Sequence, residues 1–147
     1  MSEKKLKIIF LCSGNLSRCQ MAEGWARKLK RLQIEPYSVS LENNGPDLLA
    51  EKVMAEVGID ISKQRPVSLQ ELKQMEFDFV ITLCRRVARQ SIMFPLAATK
   101  TINADFPDPA AAAEKFDNEA EKLNGYRQVR DRIRKFIETI PEYLFSI

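Results

Sequence analysis

Apolar positions along the chain come in two textures: short unbroken β-rich runs, and longer stretches in which they recur at helical spacing. Lys7-Ile8-Ile9-Phe10-Leu11 is the first short run and reads as a buried strand. From Ser17 to about Gln33 the pattern turns helical. Met21, Ala22, Trp25, Leu29 and Leu32 fall on one side, and Lys and Arg fill the last turns, as a helix C-terminus favours. Tyr37 to Leu41 predicts a second strand. Asn43-Asn44-Gly45-Pro46 predicts a turn, with Pro46 opening a helix that carries Leu49, Val53, Met54 and Val57 and is capped by Gly58. Ser68 to Met75 reads as a short helix, with Glu71 placed for a capping box. Phe77 to Leu83 predicts a third strand, apolar except for Asp78 and Thr82, which suits a sheet covered on both faces. Thr99 to Asn103 predicts a fourth. From Asn124 to about Ile140, an apolar stripe of Tyr126, Val129, Ile133, Phe136, Ile137 and Ile140 predicts a closing amphipathic helix that ends or kinks before Pro141.

Strands alternating with helices predict an α/β fold in three layers, a four-stranded parallel sheet flanked by helices. No repeat and no Pro/Gly/Ser linker divides the 147 residues, so one domain, 1–147, is expected. In such sheets the site lies outside the carboxyl ends of the strands. The first such end is Cys12.

Composition narrows the function classes. Apolar residues make up 45% and charged residues 29%, an ordinary globular balance. The net charge of +3 favours anions only mildly. Bases are interleaved with acids, as in Arg130-Asp131-Arg132, so no nucleic-acid partner is expected. No apolar run approaches the ~20 residues of a membrane span. Met1 to Lys5 leads into only about six apolar-rich residues, too few for a signal peptide. The expected location is the cytoplasm, where thiols stay reduced, and three cysteines there point to chemistry rather than a disulfide framework. The chain has no histidine, which excludes Ser-His and Cys-His mechanisms and any His-ligated metal.

Between the first strand and first helix stands Cys12-Ser13-Gly14-Asn15-Leu16-Ser17-Arg18: a cysteine, five residues and an arginine. A phosphate or arsenate dianion needs several donors around its oxygens. A short loop entering a helix can curl its backbone N–H groups inward as a nest, helped by the helix N-terminus. Gly14 relieves crowding, and Asn15 tolerates left-handed dihedrals. Arg18 can grip two oxygens with its planar fork. The same positive field lowers the Cys12 pKa and leaves a thiolate for in-line attack at phosphorus or arsenic. The structural alternative is a buried strand-end cysteine followed by an ordinary helix cap.

Phe10-Leu11-Cys12-Ser13-Gly14-Asn15, Arg18 and Met21-Ala22-Glu23-Gly24 together resemble the low-molecular-weight protein tyrosine phosphatases and the arsenate reductases that share their fold. The likeness runs nearly end to end. Gly58-Ile59-Asp60-Ile61-Ser62 is similar to a stretch after the second helix of that family. Val80-Ile81-Thr82-Leu83-Cys84 resembles the arsenate reductases at their first resolving cysteine, and Phe106-Pro107-Asp108-Pro109-Ala110 resembles the Asp-Pro loop of both groups.

Phosphoryl transfer to a thiolate needs a proton for the leaving oxygen, and an Asp on a loop can supply it. Asp108 is the expected acid, with Asp105 in reserve. The structural alternative is that Asp108-Pro109 caps the Ala-rich helix Ala110 to Ala113. Arsenate reduction then requires a second thiol to break the thiolate–arsenate adduct. Cys84 ends a strand parallel to the first, and the resemblance implies that it is this resolving thiol.

The chain also departs from the family pattern. The relay position beyond Cys84 in thioredoxin-coupled reductases corresponds to Ser91. The family commonly has Cys before the loop arginine and Ser after it; here these are Ser17 and Cys19. Cys19 is therefore a candidate redox partner of Cys12 or a helix residue facing the core. Ala110 to Ala113 stand where the phosphatases place aromatic residues, which favours a small inorganic oxyanion. Asn15, Glu23 and Ser38 match a cation set of the reductases, but its Asp position is Val67, so no metal and no cofactor are expected. Arg85, Arg86 and Arg89 can attract an anion or a reductant protein, or serve as solvated surface.

The leading expectation is an arsenate reductase-like enzyme with Cys12, Arg18, Asp108 and Cys84 in those roles. Its expected reductant is thioredoxin, glutaredoxin or a low-molecular-weight thiol. The alternatives are a phosphatase for phosphotyrosine or phosphoarginine proteins, and a non-catalytic oxyanion-binding or redox-sensing protein.

Overall fold

The first apolar run does become a strand, and it lies inside the sheet. The computed structural model describes residues 4–13, 16–40, 45–84 and 97–146. In chain order these form β1 (Leu6–Cys12), α1 (Ser17–Leu29), β2 (Ile34–Ser40), α2 (Leu48–Glu56), α3 (Leu69–Leu72), β3 (Glu76–Thr82), β4 (Ala97–Asn103), α4 (Pro109–Ala113), α5 (Glu119–Thr139) and α6 (Glu142–Ser146). The sheet order is β2-β1-β3-β4, with every neighbouring pair parallel. The expected four-stranded parallel sheet with flanking helices is thus present. No helix among the described residues is long and apolar enough to cross a membrane.

Several boundaries differ from the sequence pattern, each for a local reason. α1 stops at Leu29 rather than Gln33, because its C-cap Lys30 leaves helical geometry, with φ −127° and ψ 30°. Leu32 is 77% exposed and so is no continuation of the apolar stripe. β2 begins at Ile34, before Pro36, which a central strand would disfavour; β2 is an edge strand and tolerates the missing donor. α2 begins at Leu48 with Asp47 as its N-cap, accepting from the Leu49 and Ala50 N–H groups at 3.1 and 3.4 Å. α5 starts at Glu119, capped by Asn118, because its first turns are polar and carry no periodic apolar signal. Gly58 has φ +79°, the left-handed conformation expected of a helix cap. The expected turn at Asn43 and Asn44 lies outside the described residues.

Side chains alternate across the sheet and divide the core in two. Ile8, Phe10 and Cys12 of β1 pack with Phe79 and Ile81 of β3 against α1, α2 and α5. Ile9 and Leu11 face the other way, with Val39, Phe77, Val80, Leu72 of α3, and Cys84. On the first face α1 comes close to the segment after α2. A Cβ added to Gly24 would lie 2.9 Å from Ile61 Cγ2, 3.1 Å from Ile59 Cγ2 and 3.2 Å from Met54 Cε. β-Branched neighbours yield poorly. Gly24→Ala therefore loses more from overpacking than it gains in helix propensity. A net destabilisation of about 1–2 kcal/mol is expected in urea unfolding.

α5 is tied to α2 by charge. Arg127 and Arg130 both reach Glu56, at 2.7 and 2.9 Å. The Arg127 hydrogen bond, then that of Arg130, pull the Glu56 pKa from 4.5 to about 2. A carboxylate lowered on folding stabilises above its unfolded pKa, and that contribution disappears as pH falls from about 4.5 towards 2. Glu56 is 37% exposed, so solvent screening limits the gain to about 1 kcal/mol. Glu56→Gln should accordingly lower stability at pH 7 and flatten its decline across that acid window, measured by urea unfolding at stepped pH.

Candidate active site

β1 delivers Cys12 to the carboxyl edge of the sheet, where Cys12 stands opposite Ser40 of β2. The chain then passes Ser13 and enters α1 at Ser17, with Leu16 as N-cap. Leu16 offers no side-chain cap, and the first turn of α1 holds no acidic residue. A helix N-terminus of that kind favours an anion. Gly14 and Asn15, the two residues assigned to the curl of the loop, lie outside the described residues.

Cys12 is fully buried, and Cys19 Sγ lies 2.8 Å from its sulfur. Cys19 also approaches the Leu16 carbonyl at 3.3 Å. The side-chain hydrogen bond from Cys19 is the largest cause lowering the Cys12 pKa. The Cys19 backbone N–H, the Arg18 charge and the Ser40 hydroxyl act in the same direction, and burial opposes them. Cys19 moves the other way. Burial raises its pKa well above the usual thiol value, and so do its hydrogen bond to Cys12 and the Cys12 and Glu23 charges. The two shifts run in opposite directions, favouring the charge on Cys12 and the proton on Cys19.

Arg18 is 5% exposed, and its guanidinium is aimed by two carbonyls. Nη1 donates to Phe106 O and Nη2 to Ser13 O, both at 3.1 Å. Nε is buried with no hydrogen-bond partner among the described residues. The Phe106 N–H in turn donates to Leu83 O at 3.0 Å, just past β3. The 104–108 segment is thereby registered on the sheet edge that carries Cys12. Asp108 follows. Its Oδ1 accepts the Ala110 N–H at 3.0 Å and caps α4, while Oδ2 lies 3.9 Å from Arg18 Nη2. The helix-cap role and a position beside the site are both present. Asp105 is exposed.

Cys84 is brought to the loop at Ser13. Its Sγ lies 3.4 Å from Ser13 Oγ, and it packs with Leu11 on the face opposite Cys12. Arg85, Arg86, Arg89 and Ser91 lie outside the described residues. Of the residues matched to a cation set, Glu23 receives the Ser38 hydroxyl at 2.6 Å and Arg27 Nε at 2.9 Å, while Val67 N–H bonds to Ser38 O. Sequence reasoning missed Arg27, although its i,i+4 spacing from Glu23 was a usable signal. It also missed Ser40 and the Phe106 carbonyl, which only strand pairing and loop docking bring to the site.

A sequence model described as low molecular weight phosphotyrosine protein phosphatase matches residues 7–144. The chain belongs to that family. An arsenate reductase of Halalkalibacterium halodurans is 38% identical over 138 residues, covering 94% of this chain and 96% of its own. A solved structure titled an arsenate reductase in reduced state superposes with TM-score 0.73 at 28% identity, covering 96% of this chain and 99% of its own. A second, titled an arsenate reductase in the phosphate binding state, superposes at 0.71 with 28% identity, covering 93% and 96%. In this member of the low-molecular-weight phosphatase family, Cys12 stands at the carboxyl end of the central strand β1 and Arg18 at the start of the helix that follows it.

Proposed function

We propose that this chain is an arsenate reductase working through a thiol. Cys12 thiolate attacks arsenic, Arg18 holds the equatorial oxygens, and Asp108 protonates the departing oxygen. A second thiol then releases arsenite. The observation that carries the reading is Arg18. A guanidinium buried to 5%, fixed by two carbonyls and keeping Nε unpartnered among the described residues, suits a bound oxyanion next to a thiolate-favouring sulfur. The arsenate reductases at 38–40% identity support arsenic as the central atom.

A phosphatase acting through a cysteinyl-phosphate is the second reading. Its first chemical step is the same, and Asp108 Oδ2, 3.9 Å from Arg18, supports either reading. The test is arsenite formation from arsenate with thioredoxin, glutaredoxin or a small thiol as electron donor, beside hydrolysis of para-nitrophenyl phosphate. Arsenite formation coupled to thiol consumption is expected. Phosphate-ester turnover with no arsenate-dependent thiol consumption would overturn the reductase reading.

A further inference from the structure

The reduction needs a second sulfur, and two are candidates. We propose that Cys19, and not Cys84, resolves the Cys12–arsenate adduct, closing a Cys12–Cys19 disulfide in each turnover; this rests on the arsenate-reductase reading above.

Distance is the first argument. Cys19 Sγ already lies 2.8 Å from Cys12 Sγ, so about 0.8 Å of approach separates them from disulfide length. Both side chains are fully buried in the same core, on the α1 face of the sheet. Cys84 belongs to the opposite core and meets Ser13 instead. β1 and β3 are hydrogen-bonded up to this edge, with Leu83 N–H on Leu11 O at 2.9 Å.

Electrostatics supplies the order of events. Besides burial and the Glu23 charge, the Cys12 anion holds the proton on Cys19. While Cys12 is a thiolate, Cys19 is a donor and no nucleophile. Once Cys12 is bonded to arsenic its negative charge is gone, and with it one of the causes that hold the proton on Cys19. The steps balance as follows. Cys12 thiolate displaces one arsenate oxygen as water, forming S–As with arsenic still As(V). Cys19 then passes its proton to an arsenic oxygen and attacks Cys12 Sγ. The S–S bond forms, the S–As bond breaks, and its electron pair goes to arsenic. Arsenite leaves as As(III), and the two sulfurs have lost two electrons. An external thiol reductant, dithiol protein or small thiol, returns those electrons by exchange.

The experiment is a single turnover of the reduced full chain with arsenate and no added reductant, quenched in acid and blocked with N-ethylmaleimide. Trypsin places the three cysteines on separate peptides: Ile8 to Arg18, Cys19 to Arg27 and Gln74 to Arg85. The expected result is one arsenite per chain with the first two peptides linked, and the same linkage in Cys84→Ser. In Cys19→Ser and Cys19→Ala, arsenite formation should fall at least about tenfold, because an intramolecular partner has been lost. A linkage to Gln74–Arg85 in the wild type, or loss of disulfide and arsenite in Cys84→Ser, would overturn the role of Cys19 and leave the reductase reading standing. No arsenite and no disulfide in the wild type would overturn the reductase reading itself, and the role of Cys19 with it. Should Cys19→Ser fail to fold by circular dichroism, the Cys84→Ser chain decides alone.

Discussion

Arg18→Lys lowers kcat/KM for arsenate, or for a phosphate ester, by about 10²–10³-fold, equivalent to some 3–4 kcal/mol of transition-state stabilisation. The reason is geometric. Arg18 spends two donors on Phe106 O and Ser13 O and keeps a buried Nε with no partner among the described residues. A lysine ammonium is a single point of charge. It can satisfy the carbonyls or the substrate oxygens, but it has no fork with which to do both. Net charge is retained, so long-range attraction of the anion survives while the aligned contacts are lost. Cys12 also loses guanidinium support for its thiolate, since the Arg18 charge is among the causes of its lowered pKa. Steady-state kinetics and inorganic phosphate affinity should fall together, with circular dichroism unchanged. A loss smaller than about threefold would show that Arg18 is not the oxyanion clamp.

The second large effect is on stability. Trp25→Ala should cost about 3–5 kcal/mol in urea unfolding, a large fraction of what a single domain has. Trp25 is 1% exposed on the face of α1 that meets α5. Its Nε1–H donates to Arg130 O at 3.1 Å, and the Arg134 guanidinium carbon lies 5.0 Å from the ring centroid. Truncation removes the area, opens a cavity and leaves a buried carbonyl without that donor. Trp25→Phe keeps most of the area and loses the hydrogen bond, so it should fall between wild type and Trp25→Ala. Equal destabilisation by both variants would place the whole effect in the indole N–H. Because the same helix carries Arg18 and Cys19 in its first turn, the alanine variant should also lose turnover before it unfolds.

The pattern of apolar positions was sufficient for the strands and for the sheet class. Ile8 to Leu11 and Phe77 to Leu83 are short, apolar and β-rich, and a strand buried on both faces admits little else. Boundaries were less legible where the deciding contact is not periodic. α1 ends where Lys30 leaves helical dihedrals, and the edge position of β2 excuses Pro36. Glu119 to Leu123 are helical because Asn118 caps them, although no apolar stripe marks them.

The opening motif divides in the same way. From Cys12 to Arg18, residue types and spacing alone point to an oxyanion loop, because they place a cysteine at a strand end and a fork at the start of the next helix. Sequence also supplies three sulfurs, but it cannot say which two meet. That is decided by tertiary structure. The alternation of side chains across a parallel sheet puts Cys12 and Cys84 in different cores, while the first turn of α1 folds Cys19 back to within 2.8 Å of Cys12. The docking of Phe106 on β3, which aims Arg18, is likewise a long-range contact with no local signature. Local chemistry is written along the chain, and the choice of partner belongs to the packing that brings distant residues together.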